Sequence, residues 1–381
     1  MTQPLRVAVV HDWLTAHGGA ERTLAAILDC YPQAELFTLV DFLPSLERGF
    51  LGDRPVRTSF LQRMPFARRY YRHYLPLMPM AVESFDLSGF DLVISSSCCA
   101  AKGVLTGPDQ VHVSYVHSPM RYAWDLQHQY LREHRLDRGL RGHLTRKLLH
   151  DLRMWDYRTA NGVDRFVSNS DFIARRIWKI YRRESVVIHP PVDTEFFQPA
   201  DAAREDYYLS ASRLVPYKHT RLIVEAFAQL PGRRLVVIGD GPEFARLKAA
   251  APRNVHMLGY QPRSVLRHHM QRARAFVFAA LEDFGIAPVE AQACGTPVIA
   301  YGRGGVTESV VEGRSGILFP EQTVASLVNA IQQFERREGR FNAAEIRASA
   351  ARFGTERFRQ QFRACVEEQL TQPNRLELAV G

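Results

Sequence analysis

The chain has 381 residues, 46% of them hydrophobic and 23% charged, which suits two globular domains and excludes a disordered polymer. No apolar run reaches the roughly 18 residues of a membrane span, and the first residues lack the charged-then-apolar layout of a secretion signal, so the expected compartment is the cytoplasm. Of the net charge of +9, the first 190 residues carry +6 (25 basic, 19 acidic) and the rest +3 (24 basic, 21 acidic). This bias favours an anionic partner for the first half, whether phosphate, membrane or nucleic acid.

In chain order, short β-branched runs predict strands at Arg6–Val10, Asp91–Ser95, Val111–Val116 and Arg165–Ser168. A second series follows at Tyr207–Ser210, Arg234–Ile238, Val255–Leu258, Ala275–Phe278, Pro297–Ala300 and Gly316–Phe319. Helical stretches such as Thr220–Gln229 and Val289–Cys294 lie between them, a strand–turn–helix rhythm that predicts parallel sheets with helices on both faces. Between the two series, Pro190-Pro191 can continue neither a helix nor a central strand. The expected division is therefore 1–190, 191–354 and a closing segment 355–381. In that segment Phe358, Phe362, Cys365, Val366 and Leu370 have the spacing of an amphipathic helix. Two doubly wound sheets leave a cleft at their strand carboxyl ends, where ligands sit in such folds.

The first motif runs from His11 to Glu21. Gly18 and Gly19 open a helix, where free N–H groups and the helix dipole favour an anion; an ordinary flexible turn reads the same, and the three glycines of a dinucleotide fingerprint are lacking. Next, Phe60 to Met80 interleaves arginines with aromatic rings, a pattern suited to an anionic membrane surface, to single-stranded nucleic acid or to internal packing. The adjacent Cys98 and Cys99 read as small residues after a buried strand; the five cysteines are odd in number and lack metal-ligand spacing. His117 ends the strand Val111–Val116, in reach of a ligand at that edge.

Further on, Arg213 and Lys218 follow a strand. Two fixed cations there can grip a diphosphate and neutralise the charge that develops as it leaves, although an exposed basic loop has the same composition. The most specific block is Glu282 to Ala300. Glu282 lies at a strand exit, Gly285 and Ile286 offer backbone N–H groups before a helix, and Glu290 lies within that helix. Two such carboxylates can each accept hydrogen bonds from vicinal hydroxyls, one pair on a sugar and one on a ribose.

With Gly239-Asp240-Gly241-Pro242 and Gly304-Gly305-Val306-Thr307-Glu308, these motifs make the chain resemble a family-4 retaining glycosyltransferase of the GT-B fold over nearly its whole length. The resemblance implies an α/β chain of two Rossmann-like doubly wound domains facing across a cleft, the C-terminal helix crossing back to the first. It implies an N-terminal acceptor-binding domain and a C-terminal domain that binds a nucleotide-sugar. Arg213 and Lys218 would hold the donor diphosphate, Glu282 the hydroxyls of the transferred sugar and Glu290 the ribose. Backbone N–H groups of Phe284, Gly285 and Ile286 would meet phosphates and sugar, Gly18 and Gly19 would approach the donor, and Gly259 and Tyr260 would lie by the nucleobase. His117, where the family often has a His or an Asp, would contact the sugar near its reacting carbon. Pro190-Pro191 departs from the Asn-Gly common in the family linker. Asp283 and Pro288 are similar to a subgroup that uses GDP-mannose, as mannosyltransferases of bacterial polysaccharide synthesis do.

With no Asp-x-Asp motif, no metal cofactor is expected, and the arginine and lysine must neutralise the leaving group. The expected partners are the donor, a saccharide or polyprenyl-diphosphate-linked saccharide as acceptor and, peripherally, an anionic membrane; nucleic acid is not expected. A nucleotide-sugar epimerase and a non-catalytic sugar-nucleotide or glycan-binding subunit are the rival readings.

Overall fold

Val7–His11 (β1) is buried at all five positions, as an interior parallel strand covered on both faces must be. A computed structural model, which describes residues 4–201 and 203–371, divides the chain into two units. One runs up to His189 and resumes at Phe358; the other is Pro190–Arg357.

In the first unit β1 is joined by β2 (Glu35–Thr38), β3 (Val56–Thr58), β4 (Leu92–Ser97), β5 (Val111–Val116), β6 (Arg165–Ser168) and β7 (Ser185–Val187). The sheet order is β3-β2-β1-β4-β5-β6-β7, every pair parallel. The second unit has β8 (Tyr208–Ala211), β9 (Leu235–Ile238), β10 (Val255–Gly259), β11 (Phe276–Phe278), β12 (Val298–Tyr301) and β13 (Gly316–Phe319), in the order β10-β9-β8-β11-β12-β13. Both sheets reverse direction of growth beside their first strand, at β1/β4 and at β8/β11. Those switch points open a crevice at the strand carboxyl ends, the place where such sheets receive ligands.

Three strands escape the sequence reading, for visible reasons. Glu35–Thr38 is only four residues long, and Val56–Thr58 and Ser185–Val187 are three-residue edge strands with no fully buried position. The last helix, Thr355–Thr371, buries Phe358, Phe362, Cys365 and Val366. Its Phe358 and Phe362 stack on each other and meet Tyr115 edge-on at 5.7 and 6.3 Å, so the helix joins the core beside β5. The expected tail, 372–381, lies outside the described residues.

One ion pair sits inside the first unit. Lys102 Nζ lies 2.8 Å from Asp156 Oδ1, with side chains 3% and 0% exposed. Trp124 Nε1 and Tyr181 OH both donate to Asp156 Oδ2, and Lys102 also donates to the Asp156 carbonyl and the Thr159 hydroxyl. The charges are thus enclosed but paired, as buried charges must be.

The stretch from Phe60 to Met80 folds into short helical turns that send Leu61, Ala67, Tyr71 and Met78 into the core. Arg69 lies over the Tyr70 ring, and Arg72 lies over Tyr71. Part of the basic–aromatic interleaving is therefore spent within the chain, while Phe66 and Met80 stay exposed. Among the described residues no helix is long and apolar enough to cross a membrane.

Candidate functional site

Chemistry-bearing side chains gather at the carboxyl end of each sheet. In the first unit, β1 runs out into Asp12, which is 1% exposed. Its carboxylate accepts four backbone N–H groups, from Cys98 and Cys99 at Oδ2 and from Ala100 and Ala101 at Oδ1, at 2.5 to 2.9 Å. One buried acid thus moors the loop after β4 to the end of β1, across the switch point. Cys98 and Cys99 act in it through their main chain. Burial, then the Asp12 charge, push both thiols well above their ordinary range, which leaves them unreactive.

Gly18 caps the helix Gly19–Cys30, but its N–H is taken by Glu21 Oε2 at 2.8 Å. Of the two glycines, Gly19 is the one whose N–H has no partner among the described residues, as befits the first turn of a helix. His117 lies just past β5. Its N–H donates to the Ser97 carbonyl, and its own carbonyl accepts from the Asn169 amide. Its Nε2 meets Ser96 Oγ at 2.8 Å, and Ser96 Oγ meets His11 Nδ1 at 3.0 Å. Burial, then the adjacent His11, push the His117 pKa down to about 3, so the ring is neutral near pH 7 and serves as a hydrogen-bonding group rather than a charge.

In the second unit the chain leaves β8 through exposed Arg213 and reaches Lys218 on the single turn Pro216–Lys218. His219, with φ +55°, then starts the helix Thr220–Ala228. Lys218 Nζ donates to Glu282 Oε1 at 2.6 Å, both side chains being less than one-fifth exposed. The sequence-predicted cation and carboxylate, 64 residues apart, are therefore in contact at the β8/β11 switch point. Arg213 has no ion-pair partner among the described residues.

Two glycine motifs hold these loops. Gly239 has φ +137°, and a Cβ there would lie 1.8 Å from the Ser212 carbonyl; the tight approach lets Leu214 N–H bond Asp240 O and Glu243 N–H bond Leu214 O. Gly305 packs on the Glu282 loop. Its N–H donates to Glu282 O at 2.9 Å, and a Cβ would come within 2.2 Å of the Asp283 carbonyl.

Gly285 is the N-cap of the helix Ile286–Ala293, whose first-turn N–H groups have no partner within the helix. Phe284 is buried. Glu290 lies within the helix and is 2% exposed, far more enclosed than Glu282. Gly259 closes β10 and its carbonyl accepts from Gly239 N–H at 2.8 Å, while Tyr260 is 75% exposed. Among the described residues no group of three or more His, Cys, Asp and Glu is arranged to hold a metal ion.

The sequence reading missed Asp12, His11 and Ser96. Asp12 and His11 lay inside the quoted first motif, but their partners stand about 85 residues away.

Residues 17–196 match the family described as Glycosyltransferase Family 4, and residues 191–354 match the family described as Glycosyl transferases group 1. A D-inositol 3-phosphate glycosyltransferase of Mycobacterium avium is 32% identical over 217 residues, 51% of this chain and 51% of that protein. Its counterpart in Mycolicibacterium paratuberculosis is 33% identical over 218 residues, 51% of this chain and 49% of that one. The chain thus spans about half the length of the curated relatives it matches. Among solved structures, Anabaena HepE in complex with UDP and glucose superposes with a TM-score of 0.71 at 19% identity, covering 96% of this chain and all of that one. A sucrose-phosphate synthase from Thermosynechococcus elongatus gives 0.71 at 17% identity, over 97% of this chain and 100% of that chain. Both likenesses show a shared GT-B fold.

Proposed function

The chain belongs to the group 1 and family 4 glycosyltransferases, whose two domains account for residues 17–354, and on that premise we propose that it moves a hexose from a nucleotide-diphosphate donor to a saccharide or lipid-linked saccharide. The observation that carries this reading is the contact of Lys218 with Glu282 at 2.6 Å. A lysine suits a diphosphate and a carboxylate suits vicinal hydroxyls, and the two meet at a strand-end switch point. Arg213 supplies the second cation, the N–H groups of Gly285 and Ile286 meet the phosphates or the sugar, and Glu290 takes the ribose. Gly259 and Tyr260 flank the base. In the first unit, His117 and the Gly19 N–H are assigned to the sugar and the acceptor.

We favour transfer with retention. The acceptor oxygen bonds the anomeric carbon on the face from which the diphosphate departs; the bond from that carbon to the phosphate oxygen breaks, and the acceptor proton passes to the departing phosphate. Lys218 and Arg213 neutralise the leaving charge without a metal ion. Asp283 and Pro288 favour GDP-mannose as donor, whereas HepE, solved with UDP and glucose, keeps UDP-sugars in the comparison. A lipid-linked acceptor would bring exposed Phe66 and Met80, with the nearby Arg68 and Arg69, to an anionic membrane surface.

A thermal-shift panel of GDP- and UDP-sugars tests the reading, since a ligand bound to the folded state raises the melting temperature. The expected result is selective stabilisation by a nucleotide-sugar, strongest for GDP-mannose. With a saccharide acceptor, transfer should then persist in a chelator and give a product with the anomeric configuration of the donor. No shift with any nucleotide-sugar contradicts the assignment.

A further inference from the structure

Two stretches of the first unit keep large apolar side chains in the open. The helix Gly139–Thr159 exposes Leu140, Leu144 and Met154 by 76, 62 and 61%. The turns from Phe60 to Met80 expose Phe66 by 80% and Met80 by 56%. Phe66 does so at φ +54°, a left-handed backbone that a bulky residue rarely adopts. Among the described residues fourteen large hydrophobic side chains are exposed, and eight of them fall in these two stretches. Single exposed apolar residues need no explanation, but a concentration of them marks an interaction surface.

Both stretches cover one face of the first sheet. At about 100° per residue, Leu140, Leu144, Lys147, Met154 and Arg158 fall within about 40° of one line along the helix, and the buried Gly142, Leu149 and Asp156 lie opposite. Leu149 and Leu152 share an apolar cluster with Leu61 and Met78 of the turns and with Ala8 and Val10 of β1. Val7 and Val9, which point the other way, belong to a different cluster. Helix and turns therefore lie on the same side of the sheet, with their outer surfaces turned away from it together. Trp155 Nε1 and Arg158 Nη2 both donate to Glu83 Oε1 at 2.8 Å, which ties the end of the long helix to Met78–Glu83, the short helix that carries Met80.

The two stretches are also basic. Residues 60–82 include four arginines and no acid, and the helix carries five basic and two acidic residues. One of those acids, Asp156, is 0% exposed and paired with Lys102, so the outer charge is more positive still. Aliphatic side chains set among cations suit a lipid surface, where the apolar groups enter the acyl boundary and the cations meet the headgroup phosphates. A nucleic-acid strand would use the cations, but it stacks its bases on aromatic rings, whereas the helix line offers leucine and methionine.

We propose that this face of the first unit docks on an anionic lipid bilayer, with Gly139–Thr159 lying in the plane of the interface. Leu140, Leu144 and Met154 enter the acyl boundary, Phe66 and Met80 enter beside them, and Arg68, Arg141 and Lys147 meet the phosphates. This deepens the reading of a lipid-linked acceptor given above and rests on it for its purpose. The docking itself needs neither donor nor acceptor, so the two can fail separately.

The test is flotation of the full-length protein with vesicles of phosphatidylcholine alone and of phosphatidylcholine mixed with phosphatidylglycerol. Wild type should float with the anionic vesicles only, and added salt should weaken the binding. The triple variant Leu140→Ser/Leu144→Ser/Met154→Ser should bind about tenfold more weakly or worse, through the apolar area it no longer buries. Arg68→Glu/Arg141→Glu/Lys147→Glu should lose at least as much by reversing charge, and it covers the case in which the first variant does not fold. Both should keep the wild-type melting temperature and its shift with a nucleotide-sugar.

A wild type that stays with neither vesicle, or a folded apolar variant that floats as well as wild type, overturns the proposal. Binding of single-stranded RNA without flotation, lost in the charge variant alone, gives the face to nucleic acid and overturns it too. So does a dimer in light scattering that the apolar variant splits, again without flotation, which gives the face to a second copy of the chain. A wild type that floats but binds no nucleotide-sugar supports the docking and fails the functional assignment instead.

Discussion

Lys218→Ala and Glu282→Ala are each expected to lower turnover about a hundredfold, since a single preorganised group opposite a developing charge contributes roughly 3 kcal/mol. The two should not lose it in the same way. In the proposed reaction Lys218 acts on the diphosphate, whose charge grows as the sugar departs, so its removal should fall mainly on kcat. In the same proposal Glu282 reads sugar hydroxyls that are present before and during transfer, so its removal should raise donor KM as well. Their 2.6 Å contact adds a further expectation. Each holds the other in place, so the double variant should lose less than the sum of the single losses. Steady-state rates on the donor selected by thermal shift check this. Near-normal rates in folded variants would remove both side chains from the reaction.

Asp156→Ala should be the most destabilising single change in the first unit, at about 3–5 kcal/mol, the cost of leaving a buried charge without its partner. The loss is compounded because Asp156 also accepts from Trp124 and Tyr181, and those donors would be stranded. Lys102→Met should cost a comparable amount by leaving the carboxylate without its counter-charge. The paired change Lys102→Met with Asp156→Leu should be milder than either single one, since it removes both charges together. Urea unfolding followed by tryptophan fluorescence checks the order. A mild Asp156→Ala would show that the pair is solvated in solution.

How much of this was legible in the sequence depends on the distance over which a signal acts. Val111–Val116 was placed to the residue, because a β-branched run between turns carries its own evidence. Val56–Thr58 and Ser185–Val187 carry none, since a three-residue edge strand with half-exposed positions has neither length nor alternation. Arg213, Lys218 and Glu282 could be singled out because each follows a recognisable strand, and their placement at one switch point follows from the order of β8 and β11. The reason for Gly239 became visible only with the Ser212 carbonyl beside it.

The polar line through Ser96 lay beyond reach for a different reason. Ser96 looks like any serine in a run of three, and its value comes from β1 and β4 being neighbours despite the 85 residues between His11 and Ser96. Glu21 ends the glycine motif, and its position beside both the Gly18 N–H and His11 Nε2 is a matter of side-chain direction that spacing does not encode. The glycine turn shows the converse. Two glycines suggested two free donors, yet the carboxylate three residues on takes the Gly18 N–H.

Calorimetric titration with the nucleoside diphosphate of the selected donor, on wild type and on the Arg213→Ala/Lys218→Ala double variant, tests most directly whether the second unit grips a pyrophosphate. Two charge-assisted contacts at about 1.5 kcal/mol each predict a loss of affinity of roughly a hundredfold or more. Equal affinity in the two proteins would contradict the account.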